Sequence, residues 1–214
     1  MLFRSWGKCQ IHQRLFHQTK RGSSKGVNKK RALDLFSGSG AISRQLERWG
    51  YEVTSLDTDA TLQPTIPTDI MKWDFKKVFP PGYFNLIAAG VPCTEYSQAK
   101  TVGVRDLETA DAIVQRVLKI IHYFQPKAWW IENPRTSMLG EHKFMAKIPF
   151  VDIDYCQVSD WGYKKPTRFW CSDQIATLPS LVCDSDVCPN TVRGTGEEPP
   201  SILLEWGEQD DFFI

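Results

Sequence analysis

No stretch of this chain stays apolar for the roughly 18 residues that a membrane-spanning helix needs, so no helical span is expected. No secretory leader and no internal repeat is legible. Histidine is scarce, with four in 214 residues and none after His142. Cysteine is thin as well: Cys9, Cys93, Cys156, Cys171, Cys183 and Cys188 are too dispersed for a disulfide scaffold, which points to an intracellular, reducing compartment. Cys183 and Cys188 could join Cys156 and Cys171 in a zinc site. There is no C-x2-C pair, however, so plain thiols and no metal are the expectation. Acid is missing from one end. Residues 1–33 hold nine Lys/Arg and no Asp/Glu, whereas residues 183–214 hold one Arg and eight acids.

What remains is enough for one α/β domain: 214 residues, 42% of them hydrophobic, with a net charge of only +1. Three segments follow from composition: a basic leader over 1–30, a core over 31–172, and a short acidic extension or reduced recognition region over 173–214. The leader admits three readings, as an organelle transit peptide, a nucleic-acid arm, or a disordered segment without a role. The near-neutral core argues against tight nonspecific DNA binding, which relies on neutralising phosphates.

The core alternates strands and helices. Strands are expected over 31–36, 52–56, 65–69, 84–89, 128–132, 151–158 and 167–171, with helices over 41–49 and 106–124. The second helix has apolar residues at Leu107, Ala110, Ile113, Val114, Val117, Leu118 and Ile121, and Gln125-Pro126 stops it. This order implies a mostly parallel open sheet with right-handed crossovers. Chemistry in such sheets gathers at the carboxyl ends of the strands.

Candidate residues stand at those ends. Phe36-Ser37-Gly38-Ser39-Gly40 forms a glycine turn between a strand and a helix, where a ligand can approach the backbone. Asp57 ends the second strand, 19 residues beyond Gly38, where an acid can bond ribose hydroxyls. Pro92-Cys93 follows the run Phe84–Ala89. Proline stiffens the turn, and a thiol so presented suggests a nucleophile, although Cys93 alone also reads as a small buried thiol. Glu132 follows Ala128–Ile131 and alone reads as a cap or a surface acid. Asp69 alone reads as a turn residue.

Four blocks, taken in order, resemble the cytosine-C5 DNA methyltransferase family in a compact, phage-type form. They are Asp34–Gly40, Val91–Ser97, Trp129–Pro134 and the hairpin block Tyr155–Cys171. Together they span about residues 31 to 172. The resemblance implies a sheet of the class I S-adenosylmethionine-dependent methyltransferase type. It implies S-adenosyl-L-methionine held by Phe36, Ser37, Gly38, Gly40, Asp57, Asp69 and Pro92. It further implies Cys93 as nucleophile at cytosine C6, Glu132 assisting at N3, and Arg168 as the hairpin arginine of the catalytic set. Val91 replaces the first of two family prolines, Lys164-Lys165-Pro166 replaces the usual Gln/Arg pattern, and Ser172–Ile214 carries no copy of the two closing motifs. DNA is the expected substrate, met through the basic arm or with a recognition partner. The alternatives are a non-catalytic regulatory or binding relative, or C5 methylation of RNA or of a free pyrimidine nucleotide.

Overall fold

Ala32, Leu33, Asp34 and Leu35 are all buried, as expected of a central parallel strand covered on both faces. They belong to β1 (Lys30–Leu35) in a computed structural model that describes residues 29–98, 100–158, 163–184 and 188. The other strands are β2 (Tyr51–Asp57), β3 (Ile66–Pro67), β4 (Leu86–Gly90), β5 (Ala128–Pro134), β6 (Phe150–Asp154) and β7 (Pro166–Cys171). The helices are α1 (Ala41–Arg48), α2 (Phe75–Val78), α3 (Leu107–Phe124) and α4 (Asp173–Ala176). None of the described helices is long and apolar enough to cross a membrane.

The seven strands form one sheet in the order β3-β2-β1-β4-β5-β7-β6. The pairs from β3 through β5 are parallel, and β7 runs antiparallel to both of its neighbours. The order therefore reverses between β1 and β4, where an open α/β sheet leaves its binding crevice. This is the mostly parallel α/β fold that the alternation predicts.

Alternation within the strands splits the core into two layers. Leu33, Leu35, Ile87 and Ala89 pack with the α3 residues Ala110, Val114, Val117, Ile120, Ile121 and Phe124. Ala32, Leu86 and Ala88 face the opposite way, onto Leu46 of α1. Helix α3 starts where the Asp106 carboxylate accepts from Thr109 N at 3.0 Å, and it ends at Gln125 in the left-handed region, just before Pro126.

Several boundaries differ from expectation: β3 is confined to Ile66–Pro67 of the expected 65–69, and β5 runs on to Pro134. Phe84 does not begin β4. Its ring packs edge-on against Phe124, with centroids 5.0 Å apart, while the Asn85 side chain caps Arg31 N at 2.9 Å. The expected strand over 151–158 stops at Asp154 and tightens into a 3-10 turn over Tyr155–Gln157. Beyond Ser172, Leu181 forms a parallel bridge to Ile153. The expectations for the leader lie outside the described residues, as do those for most of the acidic extension and for Trp161-Gly162 of the hairpin block.

Candidate active site

Parallel register brings the candidate residues to one rim. The turn after β1 is held by β2: the amides of Phe36 and Ser37 both donate to the Leu56 carbonyl, at 2.8 and 3.1 Å. This puts Phe36 at φ 61°, uncommon for a bulky side chain. Gly38 has φ 48° and donates its amide to Asp57 Oδ2 at 2.8 Å. A Cβ on Gly38 would meet nothing within 4 Å, so the turn borders open space. Asp57 Oδ1 accepts from Asp59 N at 3.0 Å. Under the turn, Asp34 is fully buried and accepts from the Ser43 hydroxyl at 2.6 Å. Burial pushes its carboxyl up to about 6; the Ser43 bond opposes that shift, and the Asp57 charge adds to it.

Asp69 stands beyond β3, in a turn of its own. Its Oδ1 accepts from Met71 N at 2.8 Å, and Lys72 Nζ lies 4.0 Å from its Oδ2.

The β4 and β5 ends are tied together. Gly90 pairs with Glu132 in register, and the buried Asn133 donates its side-chain amide to the Val91 carbonyl at 3.0 Å. The half-buried Cys93 therefore stands three residues past the partner of Glu132, on a turn closed by Tyr96 N donating to the Cys93 carbonyl at 3.1 Å. Glu132 Oε1 is buried without a hydrogen bond, and the nearest cation is Lys165 Nζ at 3.6 Å. Burial holds the Glu132 carboxyl above the ordinary carboxylate range, with Lys165 opposing. Burial also lowers Lys165, while Glu132 and Cys93 both act to raise it. One ammonium therefore feels both residues.

Arg168 lies elsewhere. Its guanidinium makes a two-pronged pair with Asp152 at 2.7 and 2.8 Å and stacks over Phe150 at 3.7 Å. In β7 it is paired with Asn133, whereas Phe169 is the residue opposite Glu132. The cation beside Glu132 is thus Lys165, which the sequence reading passed over. Its position depends on how the chain enters β7, and no motif marks that.

Sequence reasoning also missed the supports of the Cys93 turn. Tyr96 is fully buried and donates its hydroxyl to Asp111 Oδ1 at 2.8 Å, and Asp111 Oδ2 meets His142 Nδ1 at 2.9 Å. Farther along, Lys100 Nζ binds both Glu95 oxygens at 2.6 Å, and Arg105 donates to the carbonyls of Glu95, Ser97 and Lys100. At the tip of this loop Val102 and Val104 are 83% and 93% exposed. A cleft of about 180 Å³ opens between Pro92, Thr94, Glu95 and α3. Phe36, Gly38 and Asp57 do not line it, and it is smaller than the ~300 Å³ at which small-molecule sites begin.

Comparison with known proteins identifies the family. Residues 30–148 match the family model for C-5 cytosine-specific DNA methylases. A "Probable DNA (cytosine-5)-methyltransferase" of frog virus 3 (isolate Goorha) is 32% identical over 179 residues, which is 76% of this chain and 79% of the viral protein. The type II methyltransferase M.HpaII of Haemophilus parainfluenzae is 31% identical over 110 residues, 47% of this chain and 30% of that enzyme. Among solved structures, an S-adenosylmethionine-dependent methyltransferase from Archaeoglobus fulgidus aligns with a TM-score of 0.37 at 14% identity, over 50% of this chain and 46% of the other. The family match runs from the first strand through the glycine turn, the Cys93 turn and the Glu132 strand end, and the viral relative is matched over most of its length; the chain belongs to the C-5 cytosine-specific DNA methylase family, the DNA (cytosine-5)-methyltransferases.

Proposed function

We propose that this chain methylates cytosine C5 in DNA, with S-adenosyl-L-methionine as donor and Cys93 as covalent nucleophile. The observation that carries this reading is the pairing of Gly90 with Glu132 across β4 and β5, which sets the Cys93 turn beside the Glu132 strand end, tied by the Asn133–Val91 bond, with Lys165 Nζ 3.6 Å from Glu132.

The rim fits the cofactor. Gly38 offers backbone to open space, and Asp57 presents a carboxylate at the end of β2. The donor's ribose would meet Asp57, its adenine Phe36 and Asp69, and its methionine end Ser37, Gly38 and Gly40, with Pro92 closing the side nearest the base. When bound, it supplies the electrophilic methyl group.

Cytosine C5 is too weak a nucleophile to react unaided. The Cys93 thiolate adds to C6, forming a C–S bond and giving C5 enamine character. That addition needs a proton or a strong hydrogen bond at N3. Glu132, whose carboxyl burial shifts toward the protonated form, would donate it from a carboxyl with no hydrogen bond at Oε1. Lys165, 3.6 Å from Glu132 Oε1, holds the carboxyl in place. Once C5 has gained the methyl group, with S-adenosylhomocysteine as the leaving product, its proton would pass to solvent water, the C–S bond would break to return the Cys93 thiolate, and the N3 proton would return to Glu132 as the ring regains its aromaticity. A base inside a duplex is out of reach of this site and must be turned out of the stack. The uncovered Val102 and Val104 suit contact with the opened helix, an observation that favours DNA over a free nucleotide.

The test is a duplex carrying 5-fluorocytosine, incubated with the protein and S-adenosyl-L-methionine. A denaturant-resistant protein–DNA adduct that requires the methyl donor and disappears in Cys93→Ser is expected. Methyl transfer by Cys93→Ser within about tenfold of the parent would exclude this route.

A further inference from the structure

Three buried thiols meet on the far side of β6, and the reaction above uses none of them. Cys156 sits in the 3-10 turn after β6, while Cys183 and Cys188 return to it from beyond α4. They are 1%, 7% and 5% exposed, and their Sγ atoms all lie within 4.8 Å of one another. Cys171, which sequence spacing groups with them, packs instead with Val151 and Ile175.

Three sulfurs converging in one closed spot is an arrangement suited to a soft metal ion. A disulfide would use two of them and strand the third. A tetrahedral zinc ion with Zn–S near 2.3 Å spaces its sulfurs by about 3.8 Å, so a small inward movement of this triangle makes three sides of the site. The surroundings suit the charge. Three thiolates on a divalent ion carry a net negative charge, and Lys164 donates to the Cys183 carbonyl at 2.8 Å. The Cys183 amide is held by buried Asp154 at 2.9 Å, and Arg135 reaches the same carboxylate at 3.3 Å. The ligand backbone is thus fixed by a second layer of bonds, as metal sites require.

We propose that Cys156, Cys183 and Cys188 bind a structural zinc ion, with one non-thiol ligand at the fourth corner. Binding forms three Zn–S bonds and releases up to three thiol protons to solvent, with no oxidation or reduction. The ion pins the segment after α4 to the β6–β7 turn. Lys164 joins that turn to Cys183, and its neighbour Lys165 lies against Glu132, so the metal braces the wall on which the Glu132 cation stands.

The full chain, purified in reducing, chelator-free buffer, should hold about one zinc per molecule. A mercurial thiol reagent should release it. Cobalt substitution should give thiolate-to-metal charge-transfer absorption and visible bands of a tetrahedral site. Cys183→Ser and Cys188→Ser should each lower zinc affinity at least about tenfold, while Cys171→Ser should keep it. The cobalt spectrum of the unaltered chain decides the matter even if the variants fail to fold. Absence of the charge-transfer band overturns the proposal. So does equal metal loss in Cys171→Ser, or a Cys183–Cys188 disulfide in the freshly reduced and re-isolated protein.

Discussion

Asn133 reaches across from β5 to β4 and donates its side-chain amide to the Val91 carbonyl at 3.0 Å, in a fully buried position. This bond joins the strand end that carries Glu132 to the turn that carries Cys93. Asn133→Ala leaves the Val91 carbonyl unpaired inside the protein, which costs about 1–3 kcal/mol of stability. Its signature is a split in kinetics: kcat falls because the nucleophile turn is released, while S-adenosyl-L-methionine affinity stays near that of the parent. Urea denaturation and steady-state kinetics check both parts. An equal loss of cofactor affinity would show that Asn133 supports the whole rim instead.

Asp57 serves two partners: it anchors the Gly38 amide and faces the space proposed for the ribose. Asp57→Ala should weaken cofactor binding by about 1–3 kcal/mol, the cost of losing a charged acceptor. Calorimetry with S-adenosylhomocysteine measures this without turnover. An unchanged affinity would place the ribose elsewhere.

The strand ends were legible in the sequence because buried parallel strands read as short apolar runs bounded by turn residues. Gly38, Cys93 and Glu132 each follow such a run, whereas Asp57 ends the more polar strand Tyr51–Asp57. What was illegible depends on register. The Arg168–Asp152 pair spans 16 residues across β6 and β7, and only the antiparallel pairing places the two side by side. Lys165 reaches Glu132 from a turn that no motif marks. Cys171 shares the spacing of the other thiols but sits in β7 facing Val151, and a strand's two faces cannot be sorted from cysteine spacing. Tyr96, Asp111 and His142 meet because the Cys93 turn packs on α3, a tertiary contact without a local signal.

Asp34 makes stability depend on pH in the direction opposite to most acids. Its folded carboxyl is raised to about 6 by burial, against roughly 3.9 unfolded. Below about pH 4 both states hold the proton, and the neutral side chain is tolerated. Between about pH 4 and 6 the unfolded chain has released a proton that the folded one keeps, so stability falls as pH rises through that window. The total from this group is about 3 kcal/mol. Ser43→Ala removes a bond that favours the charged form and should widen the window upward. Asp34→Asn should flatten this part of the profile. Urea midpoints across the window measure it, and a parent profile that rises there at the same rate as that of Asp34→Asn would disprove the assignment.

In the proposed mechanism Glu132 and Lys165 together set the pH dependence of methyl transfer. Burial raises the Glu132 carboxyl, and the ammonium 3.6 Å away holds it back. The proposed step uses the protonated carboxyl at cytosine N3, so kcat/KM should decline as pH rises through the Glu132 value. Replacing the cation by a side chain of similar length, Lys165→Met, removes the stabilisation of the ionised carboxylate. The Glu132 value then rises, and the alkaline limb moves to higher pH. Lys165→Arg keeps a positive charge and should leave the limb near that of the parent. Glu132→Gln should lose the limb altogether, with a rate lower by about 100-fold or more, since its amide can still donate a weaker hydrogen bond. The measurement is a pH–rate profile under single-turnover conditions, which keeps product release out of the limb. A limb that rises with pH through the Glu132 value would show that the ionised carboxylate acts on the base, and a falling Lys165→Met limb that stays in place or moves to lower pH would show that the limb does not belong to Glu132.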